Sequence, residues 1–482
     1  YQGGIFSFMN AKDPVMLAQW SDGSYAPFTG GTTNPLPMIE QNVGGNRHYQ
    51  RLNLKTSIVL EYKPLKWLSL EAKVAPQLQA TKNHLFKDQV EYHSDPYGTI
   101  SPITNVEFNS LEETITTTFN GYYHGMLTAA HSFGKHNLKF LAGVSYENYE
   151  YASLGAYRQD FAYPQYDVID AGGKNEFKDN SGTRSQIALA SFFGRLNYNY
   201  DNRYLFEANL RYDGSSRFAK QNRWGLFPSF SAAWRLSEEA FMDVTRDVIT
   251  EAKIRASYGT QGNASIGNYA SLGLVGSTTY GDASGLVINT TQNDDLGWET
   301  QKLFTAGFSA GFWKDRLTVD FEFYNRKTVD MLMEIPYPAT SGYSDGTKNV
   351  GGMLNRGIDL TVRGDIVRTK DWLVSAYANF NYNKNQITEL FNGYDEYALP
   401  DYGLCYKVGH DANEFYMQTR LGVDPEDGNI IWATVDPVTG ERGETKNFSQ
   451  ATSELQGKSY IPPMVGGFGL NAQWKGLSVA AD

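Results

Sequence analysis

The sequence predicts an all-β fold, a transmembrane antiparallel β-barrel of about 14 to 15 strands with short turns at one rim and long loops at the other. Three observations predict it. Side chains alternate between apolar and polar with period two along most of the chain, connections alternate strictly between short and long, and aromatic rings gather beside the short ones.

The alternation is plainest in "RYLFEANLRYDGSSRF" (203–218), where Leu205, Glu207, Asn209, Arg211 and Asp213 interleave with Tyr204, Phe206, Ala208, Leu210 and Tyr212. Successive side chains of a strand point to opposite faces, so such a run puts charges on one side and rings on the other. The pattern recurs in order. Leu52, Leu54, Ile58, Leu60 and Tyr62 oppose Arg51, Asn53, Lys55, Ser57 and Glu61; Leu68, Leu70, Ala72 and Val74 oppose Ser69, Glu71 and Lys73; Leu138, Phe140, Ala142, Val144 and Tyr146 form another apolar set. Further on, Leu317, Val319, Phe321 and Phe323 oppose Thr318, Asp320, Glu322 and Arg326, and Ile358, Leu360 and Val362 oppose Asp359, Thr361 and Arg363. The last clear run sets Trp372, Val374, Ala376, Ala378, Phe380 and Tyr382 against Ser375, Asn379, Asn381 and Asn383. Helical spacing fits none of these.

Short connections fall at "KPLK" (63–66), "GKHN" (134–137), "DNR" (201–203), "KDR" (314–316), "RTKD" (368–371) and "KG" (475–476), with a longer seventh at 237–250 that reads as carrying a helical turn. Between them lie polar, Gly-rich excursions near 80–111, 150–183, 213–223, 260–297, 329–350 and 388–460. In an antiparallel meander successive connections emerge at opposite ends, so tight turns share one rim and long loops the other. Seven tight turns imply fourteen strands, and a further strand piece is expected near residues 3 to 10.

A soluble β-sandwich also hides one face of each strand. Length separates the two, because the alternating runs reach ten residues or more, whereas soluble strands peak near about five or six and a tilted crossing of hydrocarbon takes about nine to eleven. Rings beside the tight turns (Tyr62, Trp67, Phe133, Tyr198, Tyr200, Tyr204, Phe206, Trp234, Phe312, Trp313, Trp372, Trp474) fit a girdle at headgroup level. The apolar set is almost free of charge, as a lipid face requires, since Lys or Arg at mid-bilayer costs about 2–4 kcal/mol. Arg195, Glu207, Asn209, Arg211, Asp213, Arg255, Asp320, Glu322, Arg326 and Arg363 are then candidates for a wet lumen, in contact with a plug or substrate. The plainer reading, that they hydrate the wall and pair with one another, stands beside that one.

Composition narrows the function. With 42 basic against 53 acidic residues and a formal net charge of -11, the chain lacks the concentrated positive surface that a nucleic-acid backbone needs. Cys405 is the single cysteine, which excludes an internal disulfide framework and a Cys-rich metal site. No apolar run is long enough for a spanning helix.

Read in full, "GRLNYNYDNRYLFEANLRYDGSSRFAKQNRWGLFPSFSAAWRLSEEAFM" (194–242) closely resembles the SusC/RagA family of TonB-dependent outer-membrane transporters of Bacteroidota. "IRASYGTQGNASIGNY" (254–269), "LGWETQKLFTAGFSAGFWKDRLTVDFEFYNRKTVDML" (296–332), "NRGIDLTVRGD" (355–365), "GVDPEDGNIIW" (422–432) and "PPMVGGFGLNAQWKG" (462–476) resemble further family segments in family order. The resemblance implies a barrel of about 22 strands, a plug domain that contacts TonB, a SusD-like lipoprotein lid, and a glycan or peptide cargo too large for passive porins. On it, residues 1–482 are expected to be part of the barrel domain, with the plug and final strands outside them and both termini cut.

Enzyme signatures are missing: no GxxxxGK[ST] loop, HExxH helix or GxSxG elbow occurs, and no cofactor is implied. His131 and His136 merely bracket a turn. Asp320 and Glu322 are spaced like a glycosidase pair but sit on one wall with no partner that the sequence names. "DPEDGN" (424–429) departs from the EF-hand pattern and reads as a β-turn, and "RYDGSSRF" (211–218) reads as structural. The loop aromatics Tyr157, Tyr163, Tyr166, Tyr343, Tyr394, Tyr397 and Tyr402 suit stacking on sugar rings or packing against a lid protein. A non-transporting receptor or scaffold barrel, and a secreted β-rich carbohydrate-binding protein, are the alternatives.

Overall fold

The computed structural model describes residues 16–27, 34–40, 43–174, 177–281, 283–288, 290–343, 345–399 and 402–481. The strand piece expected near residues 3 to 10 lies outside them. Fifteen strands form one antiparallel sheet. In chain order they are β1 (Gly45–Lys55), β2 (Ile58–Leu65), β3 (Leu68–Lys87), β4 (Ser110–Phe133), β5 (His136–Gln159), β6 (Lys178–Tyr200), β7 (Tyr204–Ser215) and β8 (Trp224–Arg235). The rest are β9 (Ile249–Asn263), β10 (Glu299–Phe312), β11 (Leu317–Val329), β12 (Gly352–Arg368), β13 (Trp372–Glu389), β14 (Met464–Trp474) and β15 (Leu477–Ala481). Each pairs with the next along the chain, except that β1 and β2 both pair with β3 as one interrupted ribbon. The path therefore holds fourteen strands, the number that seven tight turns require.

The seven short connections sit where alternation puts them, with one shift. Strand β2 runs on through Pro64 to Leu65, so the first turn is Lys66–Trp67 rather than 63–66. Pro64 is tolerated because an edge ribbon does not need every N–H. The seventh connection carries two 3-10 turns, Leu236–Glu238 and Ala240–Thr245.

Two compact units divide the described chain. One holds the residues up to Val59 with Lys73–Tyr123 and Tyr146–Ala188, and the other holds Leu60–Ala72, His124–Ser145 and Leu189 onward. In the first, Phe86, Leu111 and Phe161 form a small core, and the Asn109 amide exchanges hydrogen bonds with the Phe161 backbone (2.6 and 3.0 Å). His84 bridges Glu113 (2.7 Å) and Asp167 (3.0 Å), which ties the 160–177 connection to the strands.

In the second unit the register sorts side chains into two faces. One row runs Tyr198, Phe206, Ala232, Ala256, Ala306, Phe323, Ile358, Tyr382 and Met464, apolar throughout. The adjacent row on the other face runs Asn197, Glu207, Ser231, Ser257, Thr305, Tyr324, Gly357 and Asn383. The apolar face is open, with Phe230 60% and Phe468 81% exposed. A soluble monomer rarely exposes a contiguous apolar patch above a few hundred Å², so this face is built for lipid and not for water.

The apolar band has edges. From Trp372–Trp474 to Tyr382–Met464 it spans eleven residues, about 33 Å along the strands and about 23 Å after a tilt near 45°. Beyond that level the same face carries Arg356 opposite Lys384 and Lys302 opposite Lys327. At the turn rim the rings form a girdle: Phe133 stacks on His136 (5.0 Å), His136 lies against Tyr198 (6.0 Å), Tyr204 stacks on Trp234 (6.2 Å), and Trp372 stacks on Trp474 (5.7 Å). Glu239 clips it from the seventh connection, accepting from the Tyr204 hydroxyl (2.7 Å) and the Trp234 indole N–H (3.0 Å). At the opposite edge Tyr212 stacks on Trp224 at 4.9 Å.

The 388–460 excursion is not loose loop. It folds into a four-stranded sheet (Glu396–Leu399, Leu404–Lys407, Glu414–Gln418, Ser453–Ser459) and a three-stranded meander (Arg420–Val423, Ile430–Val435, Arg442–Thr445). The meander's two turns are the same device: in "DPEDGN" and "DPVTGE" the Gly N–H donates to the first Asp carbonyl, Gly428 to Asp424 and Gly440 to Asp436, both at 2.9 Å with positive φ at the Gly. Only glycine takes that φ without strain. "DPEDGN" is thus a turn, and Lys446 neutralises its carboxylates from outside, 2.7 Å from Asp427.

Candidate functional site

The ten polar candidates fall on one face by register. Arg195 pairs with Asn209, Glu207 with Asn197, Arg211 with Phe193 and Asp213 with Ser191 across β6–β7. Arg255 and Glu322 flank Gly307, Asp320 pairs with Ser309, Arg326 with Asn355, and Arg363 with Thr318. Members of the set that share a strand lie an even number of residues apart, and Arg195, Arg255 and Arg363 join them through these register partners, so all share the polar side.

The structure gathers them into three clusters. In the first, Arg195 Nε donates to Asn209 Oδ1 (2.6 Å), and Glu207 accepts from Asn209 (2.8 Å) and Asn197. In the second, Arg211 forks onto Asp213 (2.9 and 3.2 Å) and reaches Ser191 Oγ (3.1 Å). These two line a recess of about 780 Å³ that also takes in Phe227, Ser257 and Gln261. In the third, Arg255 donates to Asp320 (2.8 and 3.3 Å), Glu322 (3.2 and 3.3 Å) and Ser309 (2.8 Å). Asp320 and Glu322 therefore do have a partner, and it is the Arg255 guanidinium. Arg326 lies 5.9 Å from the Tyr324 ring, and Arg363 has no ion-pair partner among the described residues.

Two glycines make the third cluster and its neighbour possible. Gly307 sits in register between Arg255 and Glu322, and a Cβ there would lie 3.3 Å from the Arg255 guanidinium carbon. The bare backbone lets the arginine cross one strand to reach the next. Gly357 serves Tyr324 likewise, whose hydroxyl crosses it to Asn383 Oδ1 at 3.1 Å. Sequence reading misses this device, although glycine inside a strand pattern signals a close approach.

Arg217, in the 211–218 segment, falls outside the ten polar candidates but is held in place. It donates to the Ala264 carbonyl (2.7 Å) and Asn268 (3.1 Å), while its neighbour Phe218 is buried 5.3 Å from Trp298. "RYDGSSRF" thus pins the 264–298 excursion to the strand ends. His131 and His136 stack on either side of Phe133, and among the described residues no three His, Cys, Asp or Glu groups converge as a metal site would need.

The loop aromatics separate by exposure. Tyr163 and Tyr166 stand out in the first unit, edge to face at 6.4 Å, and Tyr157 is half-buried. In the second unit Tyr402 and Tyr394 are exposed, Tyr343 is half-buried, and Tyr397 packs edge-on against buried Phe391 at 5.1 Å, a structural contact.

These features meet a family. Residues 12–435 match the family model described as TonB dependent receptor-like, beta-barrel. The TonB-dependent receptor P39 of Formosa agariphila is 29% identical over 467 residues, covering 95% of this chain and 43% of the relative. The TonB-dependent receptor SusC of Bacteroides thetaiotaomicron is 33% identical over 270 residues, 51% of this chain and 26% of SusC. Among solved structures, the RagAB peptide transporter superposes with a TM-score of 0.82 at 31% identity, covering 95% of this chain and 50% of that one. The chain spans half or less of the length of each. A long antiparallel sheet with a bare apolar face, girdled at the tight-turn rim and matched over most of its length, places this chain in the TonB-dependent receptor β-barrel family, on the branch that holds SusC and RagA.

Proposed function

We propose that the protein imports a bulky nutrient, a glycan or a peptide, across the outer membrane of a Gram-negative bacterium, energised through TonB by a plug domain and working with a SusD-like surface lipoprotein. The observation that carries this reading is the contrast between the faces of the sheet. The apolar face is exposed and uncharged over a bilayer's thickness, while the other is lined by Arg, Glu, Asp and Asn that satisfy one another. A wall whose charges are largely paired offers hydrogen bonds along its length, which suits a passage or a plug seat. In this reading the ten polar residues face the lumen, Arg326 and Arg363, which make no ion pair among the described residues, are the cations available to a plug or substrate, and Tyr163, Tyr166 and Tyr402 are the stacking surfaces for cargo or lid.

The test is uptake by cells carrying the intact protein, with labelled oligosaccharides in one arm and labelled peptides in the other, with and without TonB. Import of one class that collapses without TonB is the expected result. Equal accumulation in the TonB-less strain would leave a passive pore, and surface binding with no accumulation in either strain would leave a receptor.

A further inference from the structure

The tight-turn rim is not uniform in charge. Around β6–β9 every turn cation is consumed internally: Lys135 and Arg203 by Asp201 (2.7 and 3.4 Å), Arg203 also by Glu239 (3.4 Å), Arg235 by Glu238 (3.3 Å) and Arg246 by Asp243 (2.8 Å). In the turns after β10, β12 and β14 the pattern breaks. Arg368 is matched by Asp365 (3.5 Å), but Lys314, Arg316, Lys370 and Lys475, all exposed, make no ion pair among the described residues. Asp315 and Asp371 are the remaining acids of these three turns, which keep a positive surplus of their own, while Asp247 and Glu251 stand beside the first of them on the preceding connection and on β9.

These three turns are neighbours, since β11 pairs with β12 and β13 with β14. They are stitched together: the Asp365 N–H donates to the Arg316 carbonyl (2.7 Å), the Arg368 guanidinium to the Lys314 carbonyl (3.2 Å), and the Lys475 N–H to the Asp371 carbonyl (3.0 Å). An indole stands beside each turn. Trp372 and Trp474 stack 25° from parallel with Lys475 Nζ 5.3 Å from the Trp474 ring, and Trp313 stands half-exposed. Trp313, Lys314 and Asp315 all have φ between 53° and 61°, a backbone conformation L-residues avoid. Trp313 and Lys314 are both exposed there. Behind them Ile366, Leu470 and Val479 continue the apolar face, exposed.

Cations at headgroup depth, indoles that prefer that depth, and bare apolar surface beneath match the three parts of one molecule: phosphate, glycerol region and acyl chain. We propose that this sector retains an anionic phospholipid, its phosphate held by Lys314, Lys370 and Lys475, with Arg316 behind them at the foot of β11 on the polar side, and its chains laid along the Ile366–Leu470–Val479 surface. A free phosphate would use the cations and leave the indoles and apolar surface without a role, which is why the occupant is a lipid. The inference takes the membrane-spanning fold as given and is independent of TonB and of cargo.

The test uses the intact protein extracted from outer membranes, exchanged into micelles containing phosphatidylglycerol and phosphatidylcholine in equal amounts, with bound lipid counted by native mass spectrometry. The unmodified protein is expected to keep phosphatidylglycerol preferentially, each free cation contributing about fivefold. The combined Lys314→Gln, Arg316→Gln, Lys370→Gln, Lys475→Gln variant should lose the preference. A control on the same rim, Lys63→Gln with Arg246→Gln, removes cations already paired with Glu61 and Asp243 and should keep it. Should the quadruple variant fail to fold, salt serves: at about 1 M, where the Debye length is about 3 Å, the unmodified protein should lose its preference. Undiminished preference in the quadruple variant or in high salt, or an equal loss in the control, would overturn the site, and a protein recovered folded in the aqueous fraction would overturn the membrane reading beneath it.

Discussion

Replacing Arg255 tests whether the polar face is held by its own charges. The guanidinium spans from β9 across Gly307 of β10 to Asp320 and Glu322 of β11, with two hydrogen bonds to each and one to Ser309. Arg255 is 27% exposed and Asp320 51%, so the bridge belongs neither with fully exposed pairs, about 0.2–1 kcal/mol, nor with buried ones, about 3–5 kcal/mol to break. A coupling of about 1–2 kcal/mol is the expectation, because the fork is charge-assisted but partly screened. The assay is a double-mutant cycle of Arg255→Gln with Asp320→Asn, read from urea unfolding of the protein in vesicles. Gly307→Val on the same background supplies the decisive arm. Its added Cβ would lie 2.4 Å from the Phe321 carbonyl oxygen and against the guanidinium, so stability should fall by about 1–3 kcal/mol and the coupling should vanish. A coupling below about 0.3 kcal/mol, within the additivity of unrelated sites, or one that survives Gly307→Val, refutes the reasoning.

Phe218→Ala removes a side chain 1% exposed beside Trp298 and should cost about 3–5 kcal/mol; faster hydrogen exchange across 215–224 and 264–272 is the readout, and unchanged protection there would deny the pinning role of "RYDGSSRF". Glu239 is held below the ordinary carboxylate range first by the Tyr204 hydroxyl and then by the Trp234 indole. A depressed carboxyl stabilises above its unfolded value and the gain is lost as pH falls through the folded one, so girdle tryptophan emission should change in acid in the unmodified protein and stay flat in Glu239→Gln. Glu334 is pushed the other way by the carboxyl of Asp345, to which it is hydrogen-bonded. Its protonated form favours the folded Leu332–Pro336 and Asp345–Asn349 hairpin, so exchange there should slow as pH falls through its raised value; a Glu334→Gln variant with the same pH dependence would exclude that pair as the cause.

The opening pattern at 203–218 illustrates what local sequence can carry. A pleated strand turns its side chains over at every residue, so the face of Glu207 or Arg211 follows from its neighbours alone, and the short-long rhythm orders fourteen strands without any coordinate. The first turn, displaced from 63–66 to Lys66–Trp67, shows the limit, because the exact residue where pairing ends depends on the partner strand. The folded 388–460 excursion shows another: its strands are four to seven residues long, too brief for alternation to stand out from loop composition.

Strand identity, the two-faced wall and the girdle were set by the sequence itself, since each is a property of residues one or two places apart. Pairing of specific side chains was decided only by tertiary structure: Arg255 meets Asp320 across 65 positions, Tyr324 meets Asn383 across 59, and Lys135 and Arg368 find acids while Lys314, Arg316, Lys370 and Lys475 make no ion pair among the described residues. Register fixes which residues stand opposite one another, and register is a cooperative outcome of the whole hydrogen-bonded ladder, which no short stretch of chain encodes.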